Sequence, residues 1–439
     1  MITPKQNMEF FKERRKKLAS MIPHDALILP SPPEVIRNND VNYPFRQDSN
    51  LYYLTGFEEP ESVFIFLPNK KPESVLFVRS KDELMETWEG PRWGPEAAKE
   101  VFQVDATYPL SELEKVAPQL LKDCHTIYYS LFQNEEFDHR FKLILESIKK
   151  LRGRSGRGNL PIKDSYPLLG ELRIRKTDDE ITLLKKACDI SAEAHIQLMK
   201  KTRPHINEME LHGQFIYEIM KRGAVREGYT SIVASGNNAT TLHYTINNMT
   251  LKEGDLLLVD AGAEYQYYTA DITRTYPVSG HFTESQKRLY EAVLQVQKSI
   301  IHKVKPGMTF KELQEETIEQ ITEILIQEKV LKGSRKDLIE KKEYKKFYPH
   351  GIGHWLGLDV HDAGAYEVND QPRTFETGMT LTIEPGIYIP QNAKVPEELK
   401  GIGIRIEDDI LVTPSGCEVL TSKAPKEVKE LEALVGSEL

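Results

Sequence analysis

Two aspartates in the stretch LLLVDAGAEYQYYTADITRTYP, Leu256 to Pro277, sit where a charge is unexpected. Period-2 alternation puts Leu256, Leu258 and Asp260 on one face, so an apolar strand ends in an acid that points where its leucines point. In the second run Asp271, Thr273 and Thr275 share a face opposite Ile272, Arg274 and Tyr276, and Gly262 supplies a turn just beyond Asp260. The pair reads either as the ends of an exposed hairpin, where Asp is common, or as half of a metal site. It is not an EF-hand, because the alternating acids and closing Glu of that calcium loop are missing. Two carboxylates do not fill a catalytic coordination shell, so the metal reading needs partners elsewhere.

Three later stretches offer them. In YPHGIGHWLGLDVHD, Tyr348 to Asp362, three histidines stand among three glycines. Helical spacing would put His350 and His354 on one face, but Gly351, Gly353 and Gly357 make a regular helix costly and suit a backbone packed close to something. MTLTIEPGIYIP places Glu384 at the end of an alternating strand, just before Pro385 and Gly386. GIGIRIEDDILVT alternates so that Arg405, Glu407 and Asp409 face one way and Ile404, Ile406 and Asp408 the other. An acid in the middle of an apolar strand is expensive to bury unless paired or metal-bound. Four carboxylates and one imidazole with no thiolate suit two hard or borderline divalent ions better than a structural zinc. Without metal such a cluster repels itself and takes up protons. Two metals close together hold a hydroxide and polarise a carbonyl, which is apparatus for hydrolysis.

The elements that must position these residues belong to a chain of 439 residues, long enough for two domains. No apolar run approaches the roughly 20 residues of a membrane span, so no membrane association is expected. A net charge of −9 argues against nucleic-acid binding, and the basic patches Lys12 to Lys17 and Lys149 to Arg157 read as solvated faces. Cys124, Cys188 and Cys417 are widely spaced and leave one unpaired under any disulfide scheme, which fits a reducing compartment. The apolar segment after the N-terminal basic cluster is interrupted by Pro23, His24 and Asp25, a poor secretory signal, and a cytoplasmic location is expected.

Residues 1–173 read as an α/β domain: a helix from Asn7 to Ala19, strands at Asp25–Pro30, Ser62–Leu67 and Ser74–Val78, and alternating elements up to about Lys150. Within it, Asn39 to Pro60 reads as an aromatic surface interrupted by turns, and Trp88 and Trp93 fall in a Gly- and Pro-rich loop. The basic, glycine-rich Gly153–Lys163 and a short connecting segment lead to a boundary near 173. Residues 174–439 read as an α+β domain with an antiparallel sheet. Capping boxes at Thr177 with Glu180, Thr283 with Gln286 and Thr309 with Glu312 open its helices, and strands are expected at about 231–234, 255–260, 271–276, 380–384 and 403–412.

Asp260, Asp271, His354, Glu384 and Glu407 resemble the five ligands of the pita-bread metallopeptidases. The motifs HGIGHWLGLDVHD, EPGIYIP and GIRIEDD are most similar to those of the Xaa-Pro aminopeptidases, the aminopeptidase P family, and YPFRQDSNLYYLTGFEEP resembles that family's N-terminal domain. The resemblance implies an α/β N-terminal aminopeptidase P domain and a C-terminal pita-bread domain with a curved antiparallel sheet. It implies that Asp271 and Glu407 bridge two divalent ions, usually manganese, with Asp260 on one and His354 and Glu384 on the other. A hydroxide held between the ions would attack the first peptide bond, with Glu384 as proton acceptor.

By the same resemblance His243 and His361 contact the substrate and stabilise the tetrahedral intermediate, His350 helps accept proline, Arg405 neutralises charge beside Asp260, and Tyr388 joins that network. Asp40 and Trp88 would reach a site from the N-terminal domain, that of a neighbouring subunit, in a homo-oligomer such as a dimer or tetramer. The implied substrates are peptides beginning Xaa-Pro. The alternative is a prolidase, which shares the ligands but cuts only dipeptides. A methionine aminopeptidase would lack the large N-terminal domain, and a domain that only binds peptides would show substituted ligands.

Overall fold

The computed structural model describes residues 7–438, and the chain divides into two compact units between Leu172 and Arg173. The first is built on a six-stranded mixed sheet in the order Ala106–Pro109, Ser74–Val78, Val63–Phe66, Ala26–Pro30, Ile127–Tyr128, Ile162–Lys163. Val63–Phe66 is antiparallel to both its neighbours, with Phe66 opposite Leu27 and Ile65 opposite Val75, and the other three pairs are parallel. VFIF and SVLFV show no polar alternation because every residue in them is buried, as strands covered on both faces require. The helix Glu135–Arg152 turns Phe137, Phe141, Ile144 and Ile148 into the same core as Ile28 and Ile65.

Two segments of this unit differ from the sequence reading. The aromatic stretch contains a short helix, Ser49–Thr55, started by the Asp48 side chain and stopped by Gly56 at φ +71°. Tyr52, Tyr53 and Phe57 are therefore core, and only Tyr43 is exposed among the aromatics that bracket them. The tryptophan loop is partly helical too. Asp82 caps Glu83–Glu89, which holds Trp88 out in solvent at 80% exposure, while Trp93 packs edge-on against Phe102. Beyond the glycine-rich connection, the short segment leading to the boundary contains the helix Ser165–Arg173; Pro167 sits in its first turn, where proline is tolerated.

In the second unit every strand pair is antiparallel. The three capping boxes read from sequence open the helices Asp178–Lys201, Glu284–Lys303 and Phe310–Gln327. A fourth box, Asn207 with Glu210, opens Glu208–Lys221. The stripe Leu289, Val293, Val296 and Ile300 packs in one core with Leu257, Val259, Leu381 and Ile404, so helices lie against the sheets.

Ile232–Ser235, Leu256–Asp260 and Thr273–Pro277 form a three-stranded sheet in which Asp260 lies opposite both Ile232 and Thr273. Gly262 is not the turn expected of it. A Cβ there would stand 1.7 Å from the Ala270 carbonyl oxygen, so it is glycine for close packing, and the chain reverses at Gln266 and Tyr267, both with positive φ. The strand expected at 403–412 is two strands. Ile402–Arg405 pairs with Gly386–Ile389, and Asp408–Thr413 pairs with Thr380–Ile383. Both ladders stop at the same place because Glu384 and Pro385 interrupt the partner, and there Glu407 turns its N–H to Thr273 O at 3.1 Å.

Candidate metal centre

Four interruptions of the sheet deliver the acids. Asp260 ends its strand; Asp271 precedes the next, its N–H donating to Asp409 Oδ2 at 3.0 Å. Glu384 follows Thr380–Ile383 and Glu407 fills the break just described. His354 comes from the glycine-rich segment, which is not helical: its N–H donates to Thr382 Oγ1 and its carbonyl accepts from Thr382 N at 2.9 Å. That pairing explains Gly353, where a Cβ would stand 1.9 Å from Thr382 O.

The side chains converge. Ligand atoms of Asp271, His354 and Glu407 all lie within 4.8 Å of one another. His354 Nε2 is 3.4 Å from Asp271 Oδ2 and 3.5 Å from Glu384 Oε1. The Tyr229 hydroxyl lies 2.7 Å from Asp260 Oδ1 and 2.5 Å from Asp271 Oδ1, and Thr273 Oγ1 donates to Glu407 Oε2 at 2.6 Å. Arg405 Nη2 donates to Asp260 Oδ2 at 2.5 Å. Asp260, Asp271, Arg405 and Glu407 are all buried.

So dense a set cannot all be ionised without a counter-charge. Burial pushes the Glu384 carboxyl up to about 7, against the pull of His354. Burial and then Asp271 hold Glu407 well above the carboxylate range, and burial raises Asp260 despite Arg405. Burial works against charge on His354 as well, but the hydrogen bond to Asp271 and the field of Glu384 outweigh it and push the imidazole up to about 9. The hydrogen bond and charge of His354, with Tyr229 and Arg405, hold Asp271 low against burial. The cluster thus keeps protons where cations would serve, and its oxygen-rich donors with one imidazole fit divalent ions.

The five residues line a cavity of about 550 Å³ whose walls also include His243, His350, His361, Arg405, Leu242, Thr245 and Val360. His361 stacks edge-on against His354 at 4.4 Å between ring centres, and burial and that neighbour lower its pKa. His350 is pushed down to about 4 by burial and Arg405, and its Nε2 lies 2.8 Å from the Tyr388 hydroxyl. Tyr388 itself is buried: it accepts from Arg405 Nη1 at 3.0 Å and stands behind His350 rather than on the cavity wall. Asp40 and Trp88 are exposed residues of the first unit, and all residues lining the cavity come from the second. Sequence reasoning missed Tyr229, which lies in an irregular turn before Ile232–Ser235 and carries no periodic signal. It also missed the part of Asp409, seen only as a strand residue facing the same way as Glu407.

A buried cluster of acids and one imidazole on the wall of a cavity, carried by antiparallel strands under helices, defines a metal-dependent hydrolase. The model of metallopeptidase family M24 matches residues 182–414, and that of the aminopeptidase P N-terminal domain matches residues 11–128. Xaa-Pro aminopeptidases of Haemophilus influenzae and Escherichia coli are 43% and 40% identical, each alignment covering 97% of both chains. The solved structure of zinc-substituted E. coli aminopeptidase P in complex with product superposes with a TM-score of 0.92 at 40% identity over 98% of both chains, as does that of Pseudomonas aeruginosa aminopeptidase PepP. The chain therefore belongs to metallopeptidase family M24, among its Xaa-Pro aminopeptidases. Its fold is theirs, an aminopeptidase P N-terminal domain followed by a pita-bread domain, and it uses a divalent metal.

Proposed function

We propose that this enzyme releases the first residue of peptides whose second residue is proline, using two divalent ions held by Asp260, Asp271, His354, Glu384 and Glu407. The observation that carries the reading is the convergence of these five side chains on one cavity in a chain so similar to Xaa-Pro aminopeptidases. Asp271 and Glu407, whose ligand atoms stand together with that of His354, would be shared between the ions, with Asp260 serving one and His354 and Glu384 the other. Manganese is the proposed metal, since oxygen donors outnumber nitrogen. When bound, the ions supply an acidified water and polarise the scissile carbonyl.

The remaining steps fall to the chain. Glu384, on the cavity wall beside His354, accepts the proton that the nucleophile sheds and returns it to the departing proline nitrogen. His243 and His361 donate to the oxyanion as it develops. His350, neutral at physiological pH, faces the proline ring and is steadied by Tyr388. Arg405 opposes the rise that burial imposes on Asp260 and aims its carboxylate. A tertiary Xaa-Pro amide has no N–H, so a site built for it needs no partner there.

Asp40 and Trp88, exposed on the first unit, are proposed to border the site of a neighbouring subunit in a homo-oligomer, a dimer or tetramer. The three free cysteines suit the cytoplasm, and no helix among the described residues is long and apolar enough to cross a membrane. Removing metal with a chelator and returning manganese, zinc, cobalt or magnesium singly tests the cofactor. Manganese restoring the highest rate supports it; full activity without metal contradicts it.

A further inference from the structure

The cavity wall that carries His243 is irregular chain. Between the strand Ile232–Ser235 and the strand Leu256–Asp260 only a 3₁₀ turn, Gly236–Thr240, has regular structure. One carboxylate organises this wall. Glu208, the first residue of the helix Glu208–Lys221 and 0% exposed, accepts five hydrogen bonds. Its Oε1 takes Ser235 N at 2.8 Å, Ser235 Oγ at 2.7 Å and Asn238 Nδ2 at 3.2 Å. Its Oε2 takes Tyr244 OH and Met249 N, both at 2.9 Å.

A carboxylate offers about four lone-pair sites, so this one is saturated, and the five donors offset the cost of burying it. Their positions matter more than their number. Ser235 and Asn238 are where the chain enters the wall, Met249 is where it leaves, and Tyr244 is the residue after His243. His243 ends a turn on the cavity wall and Tyr244 follows it directly, so anchoring Tyr244 on Glu208 restricts where His243 can go. Nearby, Asn247 Oδ1 takes Val233 N at 2.9 Å and fixes the segment to the sheet, and the Tyr244 hydroxyl also reaches Asn248 Oδ1 at 3.4 Å.

We propose that Glu208 is a positioning residue for the substrate: through Tyr244 it fixes His243 against the bound peptide, independently of the metal centre. The proposal rests on the reading of His243 as a substrate contact. The test is a double-mutant cycle of Tyr244→Phe and His243→Ala in the full-length enzyme, with kcat and KM for Arg-Pro-Pro, metal content and the thermal midpoint measured for each variant.

Losing one hydrogen bond of this kind predicts a fall in kcat/KM of about 3- to 10-fold for Tyr244→Phe at full metal content. In the His243→Ala background the same change adds less than about 2-fold, because the two act through one contact. Glu208→Gln, which turns an N–H toward one of the N–H donors, loses more than Tyr244→Phe; should it fail to fold, the cycle stands without it. Additive losses, unchanged kinetics for Tyr244→Phe, or a loss that tracks lost metal overturn the proposal. Wild-type kinetics for His243→Ala overturn the reading beneath it, and the proposal with it, and are recognisable as such.

Discussion

His354 Nε2 stands 3.4 Å from Asp271 Oδ2, and in the metal-free protein that contact holds the imidazole as a cation with its pKa near 9. A metal needs the neutral ring, so binding must expel a proton. Metal affinity is therefore expected to rise with pH from 6.5 to 9, with proton release seen as a dependence of the calorimetric binding enthalpy on buffer ionisation. The sign for stability is opposite. The raised pKa stabilises the metal-free fold fully below about 6.5, and the contribution is lost as pH rises through about 9, so the thermal midpoint of chelated protein should fall over that window. Added metal should abolish the fall.

Asp271→Ala removes the acid that touches both His354 and Tyr229. Loss of metal forfeits several kcal/mol of transition-state stabilisation, so turnover should drop by on the order of 10³-fold or more. Elemental analysis should find the metal gone while circular dichroism finds the N-terminal unit folded. Retained metal and activity would refute the ligand assignment.

Arg405 and Asp260 form a buried pair, and Arg405 lies opposite Gly386 in its ladder. Arg405→Ala leaves the acid uncompensated, at a cost of about 3–5 kcal/mol by denaturant unfolding of the metal-free protein. Metal should restore part of it, because a cation replaces the guanidinium.

Asp408 faces away from the centre and gathers Arg274 Nη2 at 2.7 Å and Gln297 Nε2 at 2.6 Å in full burial. Burial opposes its ionisation, but Arg274 and Lys426 hold its carboxyl below the usual range, so its stabilisation is present above about pH 4 and lost as pH falls through the lowered pKa. Asp408→Ala is expected to cost about 3–5 kcal/mol and to flatten the acid limb of the stability curve.

Three of the proposed ligands stood out in the sequence because each breaks a local rule. Asp260 and Glu384 are charges at the ends of apolar strands, and Glu407 reads in the sequence as lying within one, where the structure has a break. The capping boxes at Thr177, Thr283 and Thr309 were legible for the same local reason. What stayed hidden depends on distant partners. The break at Glu407 follows from Pro385 on another strand, Gly262 is small because Ala270 crosses it, and Tyr229 matters only because two acids close on it. The short helix at Ser49–Thr55 was obscured by aromatic residues of weak helix propensity that tertiary burial overrides.

The most direct measurement of the central claim is hydrolysis of Arg-Pro-Pro and of Ala-Pro, each with manganese and with chelator. Metal-dependent release of arginine from the tripeptide, faster than any cleavage of the dipeptide, is the predicted result. Cleavage of Ala-Pro alone would mean a prolidase, and cleavage of either peptide that survives chelation would contradict the metal centre itself.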